Sequence, residues 1–269
     1  MLHKFDANDR VLSRSMFTAD EVPYNLIHRV CDLESSTKLK TTDDTMIYAQ
    51  SEGHNAWLWI SREVENDRKN MLLQELIAQL NGAALPGISG EPKTVETFAK
   101  LYGEARGIHY HHHMAMEAYY CPKAKKPINM EGALQRSTLY DVETVAEFMA
   151  GFSEWAYGIS VDPASQIPAA EGMIATGNLY LWLVDGLVVS MANIAHRAPR
   201  HARINAVYTP PASRKKGYAS AIVAELCSIL ESERLVPMLY ADLQNPDSNK
   251  VYRNIGFVES GKIADIKFK

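Results

Sequence analysis

Three cations, Arg214, Lys215 and Lys216, stand directly before Gly217 in the stretch VYTPPASRKKGYASAIVAEL, residues 207–226. Small Ala219 and Ser220 follow, and then an apolar run at helical spacing. Residue types in this order suit the binding of an anion, above all one that carries phosphates. The first-turn amides of a helix have no intrahelical partners, and aligned peptide dipoles leave partial positive charge there. Gly217 lets backbone approach a ligand closely, while Ala219 and Ser220 keep the helix start uncrowded. From Arg197 to Lys216 the chain has six Lys or Arg residues and no Asp or Glu. The plain alternative is a solvated basic loop in front of a helix. The stretch is not a Walker loop, because no Gly-Lys-Ser/Thr follows. It also lacks the second and third glycines of a dinucleotide fingerprint.

A second set of residues lies further on, in LYADLQNPDSNKVYRNIGF. Asn245 follows a strand-like run, Pro246 suits a first helical position, and Tyr252 falls inside a short helix that Ile255-Gly256-Phe257 ends. By itself, a tyrosine in a short helix packs its ring in the core.

The elements that must position these groups are legible in the second half. DVETVAEFMAGFSEWAYG reads as an amphipathic helix, and PASQIPAAEGMIATG holds a second. NLYLWLVDGLVVSMANIA reads as a hairpin turned at Asp185-Gly186. RINAVYT is a strand and GYASAIVAELCSILES a helix with Ile222, Leu226 and Ile229 on its buried face. PMLYADL, PDSNKVYRNI and IADIKF then give strand, short helix and closing strand. The first half reads as helix (ADEVPYNLIHRVCDLE), strands (TMIYAQ, AWLWIS), helix (NMLLQELIAQL), helix (TVETFAKLYGEARG) and strand (IHYHHHMAMEAYY). CPKAKKPINMEGALQRST, with two prolines and a charge cluster, is the best linker and places a boundary near residue 130. The pattern predicts an α/β (α+β) chain of two parts, 1–130 and 131–269, with a mixed sheet.

Composition narrows the classes. The chain has 269 residues, 46% hydrophobic and 22% charged, which fits a soluble globular protein with a sizeable core. With 28 basic against 32 acidic side chains there is no global field for nucleic acid. No apolar run is long enough for a membrane span, and MLHKFDANDRVLSRSMF lacks a secretory h-region. Cys31, Cys121 and Cys227 have neither metal nor redox spacing. A cytoplasmic protein is expected.

The two motifs, in this order and separation, resemble the GNAT superfamily of acyl-CoA-dependent N-acetyltransferases. The resemblance rests on strand-Pro-x-x-Arg-x-x-Gly-x-Ala-helix and on Asn-x6-Tyr-x3-Gly-Phe, and it covers roughly residues 135–269. The phrasing VYTPP…GYAS…LYADLQNPDSNKVYRNIGF is similar to a bacterial subgroup whose N-terminal half is GNAT-like but degenerate. It implies a GNAT-type mixed sheet flanked by helices, with acetyl-CoA as co-substrate. It further implies that backbone amides from Arg214, Lys215, Lys216, Gly217, Tyr218 and Ala219, with Ser220 beside them, hold the pyrophosphate. Val207, Tyr208 and Thr209 would pair with the pantetheine arm as an added strand, and a bulge there would aim an amide at the thioester carbonyl. Asn245 and Asn249 would line the same arm. Ser248 departs from the alanine that family members often carry three residues after the asparagine. Tyr252 falls on the family's usual general acid.

The implied activity is transfer of an acetyl group to a primary amine by direct attack. The competing class is a binding module that holds acyl-CoA as a sensor or scaffold without turnover. No general base is visible; Glu154, Glu171, His196 and Asp242 are candidates, each also explicable as structural. The His-rich GIHYHHHMAM invites a zinc reading, but no carboxylate or cysteine is spaced to complete a site, so no metal is expected. Trp57, Trp59, Trp155 and Trp182 suit core or cleft walls. The acceptor amine and the oligomeric state are not written in these residues.

Overall fold

Pairs of residues with special backbone angles set the frame. Asp185 and Gly186 take φ of 49° and 79°, and Val184 pairs with Leu187 across them, so the expected hairpin closes on a two-residue turn. The computed structural model describes residues 1–6 and 8–269. In the first half the elements are β1 (Leu2–Lys4), α1 (Ser15–Thr18), α2 (Leu26–Cys31), β2 (Thr37–Thr41), β3 (Met46–Gln50) and β4 (Ala56–Ile60). They continue as α3 (Asn66–Gln79), β5 (Gly87–Gly90), α4 (Pro92–Arg106) and β6 (Tyr110–Tyr120). The second half has β7 (Ala133–Arg136), α5 (Val142–Tyr157), α6 (Ile167–Ala175), β8 (Leu179–Val184), β9 (Leu187–Arg197) and β10 (His201–Tyr208). It closes with α7 (Tyr218–Ser232), β11 (Val236–Asp242), α8 (Pro246–Ile255) and β12 (Val258–Phe268). Among the described residues no helix is long and apolar enough to cross a membrane.

These elements form two compact units that are not the continuous segments 1–130 and 131–269. One unit is Met1–Tyr119 with Tyr240–Asn245 and Glu259–Lys269; the other is Tyr120–Leu239 with Pro246–Val258. The first unit has strand order β1-β2-β3-β4-β5-β12-β6. One of its inner strands comes from the far end of the chain, because β12 runs antiparallel to β5 with Ala264 opposite Gly90 and Lys267 opposite Gly87. Met46, Tyr48, Leu58, Leu73, Leu76, Ile88, Val95, Phe98 and Ile266 fill the core beneath. The helix expected from Ala19 starts only at Leu26. Pro23 cannot continue a helix, and the carboxylates before it are taken up by tertiary contacts. Asp20 accepts from Trp59 Nε1 and pairs with Arg62, while Glu21 meets His28 at 2.7 Å.

The second unit has order β11-β10-β9-β8-β7. Helices α5 and α6 pack Val145, Phe148, Ala170 and Ile174 on Leu179, Leu181, Met191 and Tyr208. On α7, Ile222 and Leu226 are fully buried as expected, whereas Ile229 is half-buried and Leu230 takes its place in the core. The stretch expected to be a linker is fastened to this unit. Cys121 N donates to Pro237 O, Lys125 N to Ile255 O at 2.7 Å, and Lys126 pairs with Glu225. Trp182 Nε1 donates to Glu131 O, and Ala133–Arg136 enters the sheet as β7 against β8. No pattern in so short a strand announces it.

The strap crosses the end of α8 at Gly256, whose φ is 111° and whose missing side chain leaves room for the Lys123 carbonyl; a Cβ there would lie 2.6 Å from that oxygen. Gly256→Ala should therefore lower stability by about 1–3 kcal/mol through backbone strain and this clash. Urea unfolding checks it, and an unshifted midpoint would show that the strap yields freely.

Candidate functional site

β10 and β11 begin as a parallel pair and then part. His201, Ala202 and Arg203 lie opposite Val236, Pro237 and Met238, and Ile204 to Tyr208 have no register partner on β11. On its other side β10 stays paired with β9, but the register slips between Asn205 and Tyr208. Ala206 sits in that bulge with φ of 48°. A left-handed alanine costs about 1–2 kcal/mol relative to glycine-like freedom, so the surroundings must hold it. Ser190, wholly buried on β9, does so just beyond. Its Oγ donates to Tyr208 O at 2.9 Å and meets Thr209 Oγ1 at 2.8 Å. The result is a strand with one ladder edge open and a kinked amide in the middle of it.

The loop that follows turns back on itself. Pro211–Ser213 form a short 3-10 turn, then Lys215 and Gly217 take φ of 62° and 88° with a negative φ at Lys216 between them. Alternation of this kind gathers successive N–H groups on one side, which suits an anion. Gly217 caps α7 without a side-chain acceptor, so the first amides of this 15-residue helix have no cap partner. Lys215, Lys216 and Gly217 are exposed; Tyr218 is buried, and Ala219 and Ser220 are half-buried. Arg214 behaves differently from its two neighbours. Its Nε donates to Thr209 O at 3.0 Å and its guanidinium lies over the Trp155 ring.

Val207 lies in the bulge, and Tyr208, Thr209 and Arg214 to Ser220 follow it in one unit, as the motif requires. Asn249 and Tyr252 are both buried on α8 of the same unit. Tyr252 meets Phe257 edge-on at 5.8 Å, and burial alone pushes its phenol well above the usual tyrosine range. Asn245 belongs to the segment Tyr240–Asn245 that clusters with the first unit. Of the base candidates, Glu154 and Glu171 are exposed on α5 and α6, and His196 faces Arg203 across the ladder. Asp242 is half-buried at the end of β11. The structure singles out none of the four. Trp155 and Ser190 carry no motif; only Trp155 stood out in the sequence, as one of four tryptophans.

At the equivalent place in the first unit the chemistry is different. α3 follows β4 as α7 follows β10, yet its approach carries Glu63, Glu65 and Asp67 and no glycine. Carboxylates there repel an anion. In the His-rich strand, His112 Nε2 pairs with Glu96 at 2.7 Å, and no metal-holding cluster occurs among the described residues.

Residues 146–257 match the family model described as Acetyltransferase (GNAT) family. The match lies in the second half of the chain. The family is one of acyl-CoA-dependent acetyltransferases. No curated protein matches the chain. Solved structures resemble it along most of its length. An acetyltransferase from the GNAT family of Colwellia psychrerythraea is 12% identical, with 100% of each chain covered and a TM-score of 0.60. A GCN5-related N-acetyltransferase from Sphaerobacter thermophilus is also 12% identical, covering 100% of this chain and 95% of its own at 0.59. A Drosophila protein is 13% identical, covering 97% and 87% at 0.63. At these identities the likeness is one of fold. The matched residues include the open edge of β10 and the glycine loop at the start of α7.

Gly217→Glu should abolish coenzyme A binding, since it puts a carboxylate at the loop that the motif sets against pyrophosphate. It should also lower the unfolding midpoint, because φ is 88° and a Cβ would lie 3.1 Å from Met130 Sδ. Calorimetry on the folded variant is the check, and unchanged affinity would move the cofactor elsewhere.

Proposed function

We propose that this protein transfers the acetyl group of acetyl-CoA to a primary amine by direct attack. The observation that carries the reading is the bulge at Ala206 on the unpaired edge of β10, directly before the glycine loop. An open strand edge accepts an extended amide-bearing arm in the manner of an added strand, and Val207 to Thr209 supply that edge. The amides from Arg214 to Ala219 take the pyrophosphate, with the exposed Lys215 and Lys216 adding charge. Asn249, buried on α8 of the same unit, lines the arm.

In this arrangement the bulge amide faces the thioester carbonyl. Attack by a neutral amine forms the C–N bond and puts negative charge on that oxygen, which a fixed N–H stabilises more than it stabilises the ground state. Collapse breaks the C–S bond and leaves a thiolate, while the nitrogen releases its extra proton to solvent to give the neutral amide. Tyr252 gives its hydroxyl proton, or a hydrogen bond, to that sulfur. Burial keeps the phenol protonated and makes it a weaker acid, so its hydrogen-bonding role grows as its acidity falls. The first unit, with carboxylates where the second has its glycine loop, serves the acceptor rather than a second coenzyme A. A charged nucleic-acid surface is not part of this reading, since Arg197 of the basic segment is paired with Glu233 at 2.6 Å.

Calorimetric titration with coenzyme A, followed by a thiol-release screen of acetyl-CoA against primary amines, tests the proposal; a folded protein that takes up no coenzyme A overturns it. Tyr252→Phe keeps the ring and should lower turnover by roughly 10²–10⁴-fold while acetyl-CoA affinity changes little. Because burial raises the phenol, its neutral, active form persists upward in pH. The wild-type rate should therefore show no tyrosine downturn below about pH 10. A phenylalanine variant with wild-type turnover would remove Tyr252 from the mechanism and leave the bulge amide as its main element.

A further inference from the structure

We propose that Arg214 serves the cofactor loop through position and not charge, and that Trp155 on α5 is the residue it is set against. The inference rests on reading residues 207–220 as the acetyl-CoA site. Arg214 is the first cation of the motif, and from sequence its side chain belongs with Lys215 and Lys216 as a phosphate attractor. Its contacts point the other way. Nε donates backward to Thr209 O at 3.0 Å, and the guanidinium carbon lies 5.1 Å from the Trp155 ring centroid and 6.0 Å from that of Tyr208.

The rings themselves are fixed. Tyr208 is buried and meets Phe148 of α5 edge-on at 5.6 Å. Gly151 of α5 makes room for the Tyr208 hydroxyl, since any Cβ there would collide with it. Phe148, Gly151 and Trp155 are spaced i, i+3 and i+7, a single stripe of one helix. That stripe, the last residue of β10 and the first cation of the loop therefore form one chain of contacts, Phe148–Tyr208–Arg214–Trp155. A guanidinium is planar and forked, so it fills a slot between rings while donating from Nε. A lysine keeps the charge and loses both properties. The chain of contacts fixes where β10 ends and where the left-handed turn at Lys215 begins, and it ties both to α5.

The test uses the full chain and coenzyme A as the probe. Arg214→Lys should weaken binding about tenfold, as much as Arg214→Gln, because each loses the hydrogen bond and the stacking. Trp155→Leu, which leaves every cation in place, should weaken it in the same direction, and Trp155→Phe should retain most of the affinity. The salt dependence of binding, set by Lys215 and Lys216 with the loop amides, should be unchanged in Arg214→Gln. Trp155 is 42% exposed while Trp57, Trp59 and Trp182 are buried, so acrylamide quenching reports on its ring; quenching should rise in Arg214→Lys. Full affinity in Arg214→Lys beside a weak Arg214→Gln would make the residue a charge and overturn the proposal. Full affinity in Trp155→Leu would overturn it as well. Failure of the wild-type chain to bind coenzyme A, while folded, is a different result that removes the acetyl-CoA reading and this inference with it.

Discussion

A β-sheet that stops pairing in its interior leaves backbone donors and acceptors exposed on two strands, and this protein is built around such a break. After Arg203 the edge of β10 has no neighbour on β11, although β10 itself continues to Tyr208. Backbone groups left without partners are costly unless water or a ligand completes them. The surrounding structure holds the break open rather than letting it close. Ser190 staples β10 to β9 beyond the bulge, and α5 grips Tyr208 through Phe148 and Gly151. The site is thus a vacancy in a ladder, and its chemistry follows from which amides the vacancy exposes.

Left-handed residues concentrate at this place. Ala206, Lys215 and Gly217 all have positive φ within twelve positions of one another, and two of them carry a Cβ. Such angles persist in non-glycine residues only where packing over-determines them. The Thr209–Arg214 hydrogen bond lies between the two strained positions and spans the turn. Strain at Ala206 and at Lys215 is in this sense shared across one small framework rather than stored at separate points.

Much of this was legible in the sequence, and the part that was not has a common cause. The hairpin at Asp185-Gly186, the helix α7 and the two glycine motifs announce themselves because turn chemistry and 3.6 periodicity are local. The segments β1, β2, β5 and β7 have three to five residues each, too few for a period to show. Pro23 and the tertiary contacts of Asp20 and Glu21 cancelled a helix that apolar spacing alone suggested. The unit boundary failed for a related reason. Nothing in IADIKF says that it will pair with β5, since strand partners are set by packing far along the chain. At the site, the loop and its glycine before α7 could be read in advance, but the side-chain direction of Arg214 could not. A cation beside a glycine loop looks the same in sequence whether it faces a phosphate or a tryptophan.

The contrast between the two units shows what the glycine loop adds to the fold. Both place a helix after a strand that runs parallel to its neighbour: α3 after β4 beside β5, and α7 after β10 beside β11. In the first unit Ala56 to Leu58 pair with Ile88 to Gly90, and on its far side β5 is occupied by β12. Trp59 and Ile60 of β4 run on past this pairing, as Ile204 to Tyr208 of β10 do in the second unit. Glu65 caps α3 in extended backbone, with Glu63 and Asp67 beside it, so the helix dipole is answered by the protein's own carboxylates. In the second unit the dipole of α7 faces cations and bare amides instead. Neither N-terminus has a side-chain cap hydrogen bond, so the two strand-to-helix steps differ in the charge set beside the helix dipole: carboxylates at α3, cations and bare amides at α7.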